Sequence, residues 1–261
     1  MKLYIESISS WSAADAGKTK NIDEINEKSL AWPKLDFVPA MQRRRLSPFA
    51  KIALYTAENA LSEQSVSSEV SNQVDIVFSS RHGDLHKTAE LLTELTADQD
   101  ISPTAFSTSV HNAVPGLYSI LKQNKQAINA ISAGKDSFFY AFVDAYARLK
   151  SGRANKLLMV HVDRELPELY SQFKDELQIA HAISMVITLI PTATALAAID
   201  VSFSALATPE IGNEQAPPEL NLPAGLCFID WLNQTSIDSP LKFTSERHIW
   251  TCDLVSGSSR V

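Results

Sequence analysis

The sequence predicts an α/β fold built in layers, and three features of the chain lead there. Strand-like apolar runs alternate with amphipathic helical runs through the first two thirds of the sequence. The runs at 74–78 and 155–163 are apolar almost throughout, the pattern of strands covered on both faces. The helical run after the turn Ser132-Ala133-Gly134 carries Phe138, Phe139, Phe142, Val143, Tyr146 and Leu149, apolar residues on more than one face, so it should lie between layers.

Taken in order, the chain opens with a strand-like "LYIESIS" and a polar segment to about Lys34. Leu46, Phe49, Ala50, Ala53, Leu54, Ala57 and Leu61 then recur at helical steps and predict an amphipathic helix. A buried-type strand from Val74 to Phe78 leads through Ser-Ser-Arg-His-Gly into a helix from about Leu85 to Leu95. The segment "ISPTAFSTSV" reads as a surface loop, followed by a helix through Asn112 to Leu121 that starts or kinks near Pro115. Next come the strand Ala127 to Ile131, its turn and the apolar helix, then the strand Asn155 to Asp163. Two further strand-like runs occupy 180–190 and 195–206, and a Pro-, Glu- and Asn-rich stretch at 208–223 reads as an exposed loop. The chain closes with a helix "GLCFIDWLNQ" and a hairpin ending in "HIWTCDLV".

Composition narrows the function. The 261 residues carry a net charge of −7, which leaves no basic excess to hold a phosphate backbone and argues against a nucleic-acid partner. No run is long and apolar enough for a membrane span, and no basic-then-apolar leader opens the chain, so a soluble, cytoplasmic protein is expected. Cys227 and Cys252 lack a C-x-x-C pairing and read as reduced apolar residues. Cys252 sits in an alternating strand, where neither a positive neighbour nor a helix N-terminus would form a thiolate. His82 and His86 are four apart, a spacing that shares a helix face, but no third ligand accompanies them; neither a metal nor a cofactor is expected.

A sharp turn from strand into helix is a place for a nucleophile, because the helix dipole and free N–H groups stabilise negative charge there. Ser132 and Ser137 are the only hydroxyls near this turn, and the order Ser-Ala-Gly-Lys-Asp lacks the G-x-S-x-G pattern of hydrolases. Each serine is open to two readings: a nucleophile assisted by a histidine, or a strand-end or cap residue.

The order of motifs resembles the β-ketoacyl synthases of the thiolase fold. Laid along their Thr-Ala-Cys elbow, "AISAGKDSFFYAF" places Ser132 at the threonine, Ala133 at the alanine and Gly134 at the cysteine. Ser102, Pro103, Asn112 and Gly116 match the Ser-Pro, Asn and Gly of the synthases upstream; "LLMVHVDRELP" takes the place of their core strand without its Gly-Gly-Ser-Glu ending. The likeness covers about residues 40 to 206, and the histidines of the family's second half have no counterpart in its usual motifs. The chain is thus most similar to the truncated chain-length factors of aryl polyene pathways, synthase-like subunits that lack the cysteine and pair with an active ketosynthase.

That resemblance implies a layered thiolase-like fold, mostly the N-terminal half with an abbreviated C-terminal half: one domain over 1–261, with 1–170 synthase-like and 171–261 the shortened remainder. It implies no catalytic residue, with Gly134 at the nucleophile position. Dimerisation would run through the strand Ala127, Ile128, Asn129, Ala130 and Ile131, unless that strand is internal to a monomer. Thr104, Ala105, Phe106, Thr108, Ser109, Val110, His111 and Asn112 would line or stop the partner's acyl tunnel and set product length. His111 and Asn112 could instead brace their own loop. Arg43, Arg44 and Arg45 would be either a solvated face or a landing site for an acidic acyl carrier protein. Two rival readings stand beside this one: a scaffold for a synthase with no role in product length, and a serine-dependent acyltransferase or hydrolase.

Overall fold

Burial on both faces organises the molecule around one mixed sheet. The computed structural model describes residues 1–17, 30–62, 73–192, 195–206, 221–234, 237 and 239–255. The loop expected at 208–223 lies outside the described residues as far as residue 220, as does the polar segment at 18–29. In chain order the elements are β1 (Lys2–Ser12), α1 (Ala13–Gly17), α2 (Ala40–Arg43), α3 (Pro48–Ser62), β2 (Asp75–Ser79), α4 (Leu85–Thr96), α5 (Pro103–Ser109), α6 (Ala113–Lys122) and β3 (Ile128–Ile131). There follow α7 (Ser137–Lys150), β4 (Lys156–Asp163), a 3-10 turn (Glu168–Phe173), β5 (His181–Thr188), β6 (Ala197–Ala205), α8 (Ala224–Leu232), β7 (Leu241–Thr244) and β8 (His248–Leu254).

The eight strands run in the order β3-β2-β4-β5-β1-β6-β8-β7. β2 is parallel to both β3 and β4, and the remaining neighbours are antiparallel. Strand alternation divides the core. Ile76, Phe78, Leu158, Val160, Ala182 and Val186 face α3, while Val77, Leu157, Met159, Ile183 and Met185 face α7. On the α3 side, two buried hydroxyls satisfy each other: Thr56 Oγ1 and Ser184 Oγ lie 2.8 Å apart.

Helix α7 is buried between layers, as its all-round apolar pattern requires. Phe138, Phe139 and Phe142 are fully buried. Phe139 stacks on Trp250 of β8 with ring centroids 5.1 Å apart and planes within 10°. Phe138 and Phe142 both meet Phe228 of α8. Because β8 belongs to the same sheet as β2 and β4, the sheet curls around α7 and closes a second apolar layer against it.

One expected loop is helical. Residues 103–109 form α5, because Ser102 caps its start by accepting from Ala105 N at 3.4 Å and Pro103 occupies the first turn, where its missing N–H costs nothing. Pro115 stands in the first turn of α6 for the same reason. Among the described residues no helix is long and apolar enough to cross a membrane.

Truncating Phe139 removes the face on which Trp250 and Phe243 pack. The Phe139→Ala variant is expected to lose about 3–5 kcal/mol in urea unfolding; a loss below about 1 kcal/mol would contradict the burial of α7.

Candidate functional site

The site begins where β3 turns into α7. Gly134 has φ +62°, and no atom lies within 4 Å of the position a Cβ would take, so backbone conformation rather than crowding favours glycine. Ser137 Oγ donates to Gly134 O at 2.7 Å and accepts from Ala133 N at 2.9 Å. Ser132 Oγ donates to Arg81 O at 2.9 Å. Both serines are therefore bonded to backbone within or beside the turn.

An ion cluster fastens the segment after β4 over this turn. Arg81 forks onto Asp175, Nη1 to Oδ1 at 2.9 Å and Nη2 to Oδ2 at 2.6 Å, and also meets Glu176 Oε1 at 3.1 Å. Lys135 Nζ adds a contact to Asp175 Oδ2 at 3.3 Å. Burial works to raise the Asp175 carboxyl, but Arg81 and Lys135 hold it below its ordinary value. Glu176 goes the other way: burial raises it and Arg81 offsets only part of that.

Behind the turn lies a buried polar cluster supplied by β4 and β5. Asp163 accepts from Ser80 Oγ at 2.8 Å and from the Arg81 and His82 backbone N–H groups, yet burial pushes its pKa up to about 7. His161 sits between Ser79 Oγ, 2.9 Å from Nδ1, and Asp163 Oδ2, 3.5 Å from Nε2. His181 Nδ1 lies 2.8 Å from Ile179 O, while its buried Nε2 has no hydrogen-bond partner among the described residues. Burial lowers both imidazoles, His181 to about 4. The start of α8 covers this cluster. At Gly225 a Cβ would fall 2.8 Å from Ile183 Cδ1 and 3.2 Å from His161 Cδ2, so any larger residue would make the Ile183 side chain and the imidazole give way. The space left beside Gly134, between Arg81, His161, Asp163, Glu176 and Ala224, measures about 10 Å³, enough for one water.

A larger opening lies on the far side of the turn. β3 stands at the end of the sheet and pairs only with β2 among the described residues, so its outer N–H and C=O groups form an open edge. Among the described residues this strand is therefore at the edge of the sheet and not internal to it. Ile128, Asn129, Ala130 and Ile131 are half-buried strand residues, and Ala127 lies one residue ahead, accepting from Ile76 N at 2.9 Å. Beside the edge runs a groove of about 570 Å³ lined by His111, Asn112, Gly116, Ile128, Asn129, Ala130 and Ser132.

The structure brings His111, Asn112, Ile128, Asn129 and Ala130 together at this groove, and residues 104–110 are not among those that line it. His111 is engaged within its own chain: Nε2 lies 3.1 Å from Ser80 O, and the ring meets Phe78 edge-on. Asn112 is exposed just ahead of α6. Thr104, Phe106, Thr108 and Val110 are exposed on or beside α5, whereas Ala105 and Ser109 are half-buried. Arg44 and Arg45 are exposed after α2, while Arg43 pairs with Asp36 at 3.2 Å. His82 lies in the turn before α4 and His86 within it, 3.2 Å from Glu165, so the two do not share a helix face. Burial pushes the Cys227 thiol up to about 11 and that of Cys252 to about 12, away from the thiolate.

Sequence reasoning passed over Arg81, Asp136, Asp163, Asp175 and Arg247. Only the spacing of His161 and Asp163, two apart on a strand and so on one face, carried a readable signal. The other contacts join segments far apart in the chain.

The model of the β-ketoacyl synthase N-terminal domain matches residues 11–251. The chain belongs to the β-ketoacyl synthase family. Its structure is similar to a chain of the ketosynthase (ApeO) in complex with its chain length factor (ApeC) from Xenorhabdus doucetiae. That likeness has a TM-score of 0.71 and 23% identity, over 97% of this chain and 99% of that one. A β-ketoacyl synthase from Burkholderia phymatum gives a TM-score of 0.60 at 14% identity, over 78% of this chain and 64% of that one. The ishigamide ketosynthase/chain length factor gives 0.59 at 14% identity, over 78% and 68%. No curated protein matches. These likenesses establish the thiolase-like synthase fold, with Gly134 at the strand-turn-helix.

The buried groups set a pH dependence. His161 and His181 take up protons near pH 6.5 once unfolded but resist them when folded, so each contribution to stability falls as pH drops below 6.5. Asp163 acts oppositely: folded, it keeps a proton up to about pH 7 that the unfolded chain releases near 3.8. His82, which burial and Arg81 lower to about 4, acts with these two imidazoles, and the raised Glu176 acts with Asp163; three imidazoles outweigh two carboxyls, so unfolding should take up protons net below about pH 6.5. The urea midpoint should fall from pH 7 to pH 5, and His181→Gln should flatten that fall; a slope unchanged in the variant would count against it.

Proposed function

We propose that this chain is a non-catalytic chain-length subunit that pairs with an active β-ketoacyl synthase and helps to shape its acyl tunnel. The observation that carries this reading is the contrast between the two sides of one turn. The open edge of β3 borders a groove of about 570 Å³, whereas the space beside Gly134 holds about one water. An acyl chain has room on the partner-facing side and none at the glycine. The similarity to a ketosynthase/chain length factor complex over nearly the whole chain agrees with this pairing.

In this reading Ile128, Asn129, Ala130 and Ile131, with Ala127 ahead of them, meet the partner's edge strand. His111 and Asn112 border the joint cavity. Thr104, Ala105, Phe106, Thr108, Ser109 and Val110 meet the end of the partner's tunnel, where side-chain volume limits product length. The product class is an aryl polyene or related polyketide, the whole chain acts as a single unit in the cytoplasm, and Arg44 and Arg45 offer an exposed positive patch to an acidic carrier protein. The serine-dependent rival is less favoured, since Ser137 Oγ is bonded twice within the turn.

Co-expression with the β-ketoacyl synthase of the same genome should yield a co-eluting complex. Ala130→Pro, which removes an outward-facing N–H of β3 while leaving its bonds to β2, should weaken that complex at least tenfold. With the complex intact, Ala105→Trp or Ser109→Trp should shorten the product in mass spectra; unchanged length would favour the scaffold reading. The purified chain should show no added mass after incubation with an acyl thioester, and covalent acylation would overturn the non-catalytic assignment.

A further inference from the structure

The C-terminal hairpin is tied to the turn before α7 through charged groups. The Asp136 side chain is 2% exposed and is met by three side chains of the hairpin. Trp250 Nε1 lies 2.7 Å from Oδ1, while His248 Nδ1 and Arg247 Nε lie 3.3 Å and 3.4 Å from Oδ2. The Arg247 guanidinium then turns its Nη2 onto Ala133 O at 2.7 Å. One planar fork therefore spans Ala133 to Asp136, bracketing Gly134 at φ +62°.

That bracket falls at one end of the sheet. β3 is four residues long and open on one side, and glycine carries the largest backbone entropy loss on ordering. Ser137 secures the inner side of the turn; Arg247, with its side chain 57% exposed, secures the outer side.

We propose that Arg247 and Asp136 are positioning residues that hold the strand-turn in the shape the partner subunit requires, the hairpin acting as a brace for the interface. The proposal rests on the reading of β3 as the partner-contact strand.

Hydrogen exchange on the isolated chain tests the brace directly. Arg247→Ala should lose protection at least tenfold in residues 128–136 while the β4 and β5 amides stay unchanged, and Arg247→Lys, which can reach one acceptor at a time, should recover part of it. Equal loss across all strands, or no local loss, would overturn the proposal. Binding to the synthase of the same genome separates it from the reading on which it rests. Weakening by both Arg247→Ala and Ala130→Pro supports the brace. Weakening by Ala130→Pro alone overturns the brace and leaves the interface standing. If Ala130→Pro binds normally, the interface reading falls, and the brace with it.

Discussion

The packing of α7 is the constraint on which the rest of the structure depends. Three phenylalanines near its start reach in different directions, to the central strands, to α8 and to the hairpin. A helix apolar on so many sides can only be stable with walls on several sides. The curling of the sheet from β1 through β6 to β8 and β7 supplies one wall, and the central strands supply another. The turn that precedes α7 is then held from both ends, by β2 and β3 on one side and by the buried helix on the other.

The polar groups around that turn follow from the same packing. α8 closes down until Gly225 touches Ile183 and the two imidazoles, which dehydrates His161 and His181 and leaves them neutral. Arg81, Lys135, Asp175 and Glu176 cover the outer mouth as a cluster rather than as isolated pairs, the arrangement in which partly buried charges are best compensated. With both sides filled, the turn keeps the backbone shape of an elbow without a side chain at its tip. The free capacity of the molecule lies across β3, where neighbouring backbone groups and the groove remain open.

Much of the fold was legible in the sequence, because hydrophobic period is a local property. The apolar strand read at 155–163 and the multi-faced helix carrying Phe138 to Leu149 announced a layer arrangement; the strand starts one residue later, at Lys156, and the helix runs from Ser137 to Lys150. The segment 103–109 was misread as a loop because its residues are small and polar; a capping serine and a proline at the first turn decided for helix instead. The strand Ile128–Ile131 was legible as a strand, but a four-residue apolar run cannot reveal whether it has one neighbour or two.

By itself, the sequence determined most of the strands and the longer helices, that a glycine would stand at the turn before α7, and that no thiol would accompany it. Each of those depends on residue identity and local spacing. The tertiary structure alone decided that β3 would be an edge, that α8 would fill the space behind Gly134, and that Arg247 and Asp136 would meet although they stand 111 positions apart in the chain. Such contacts arise when layers close on one another. Their energies come from desolvation and geometry that no local pattern of residues encodes.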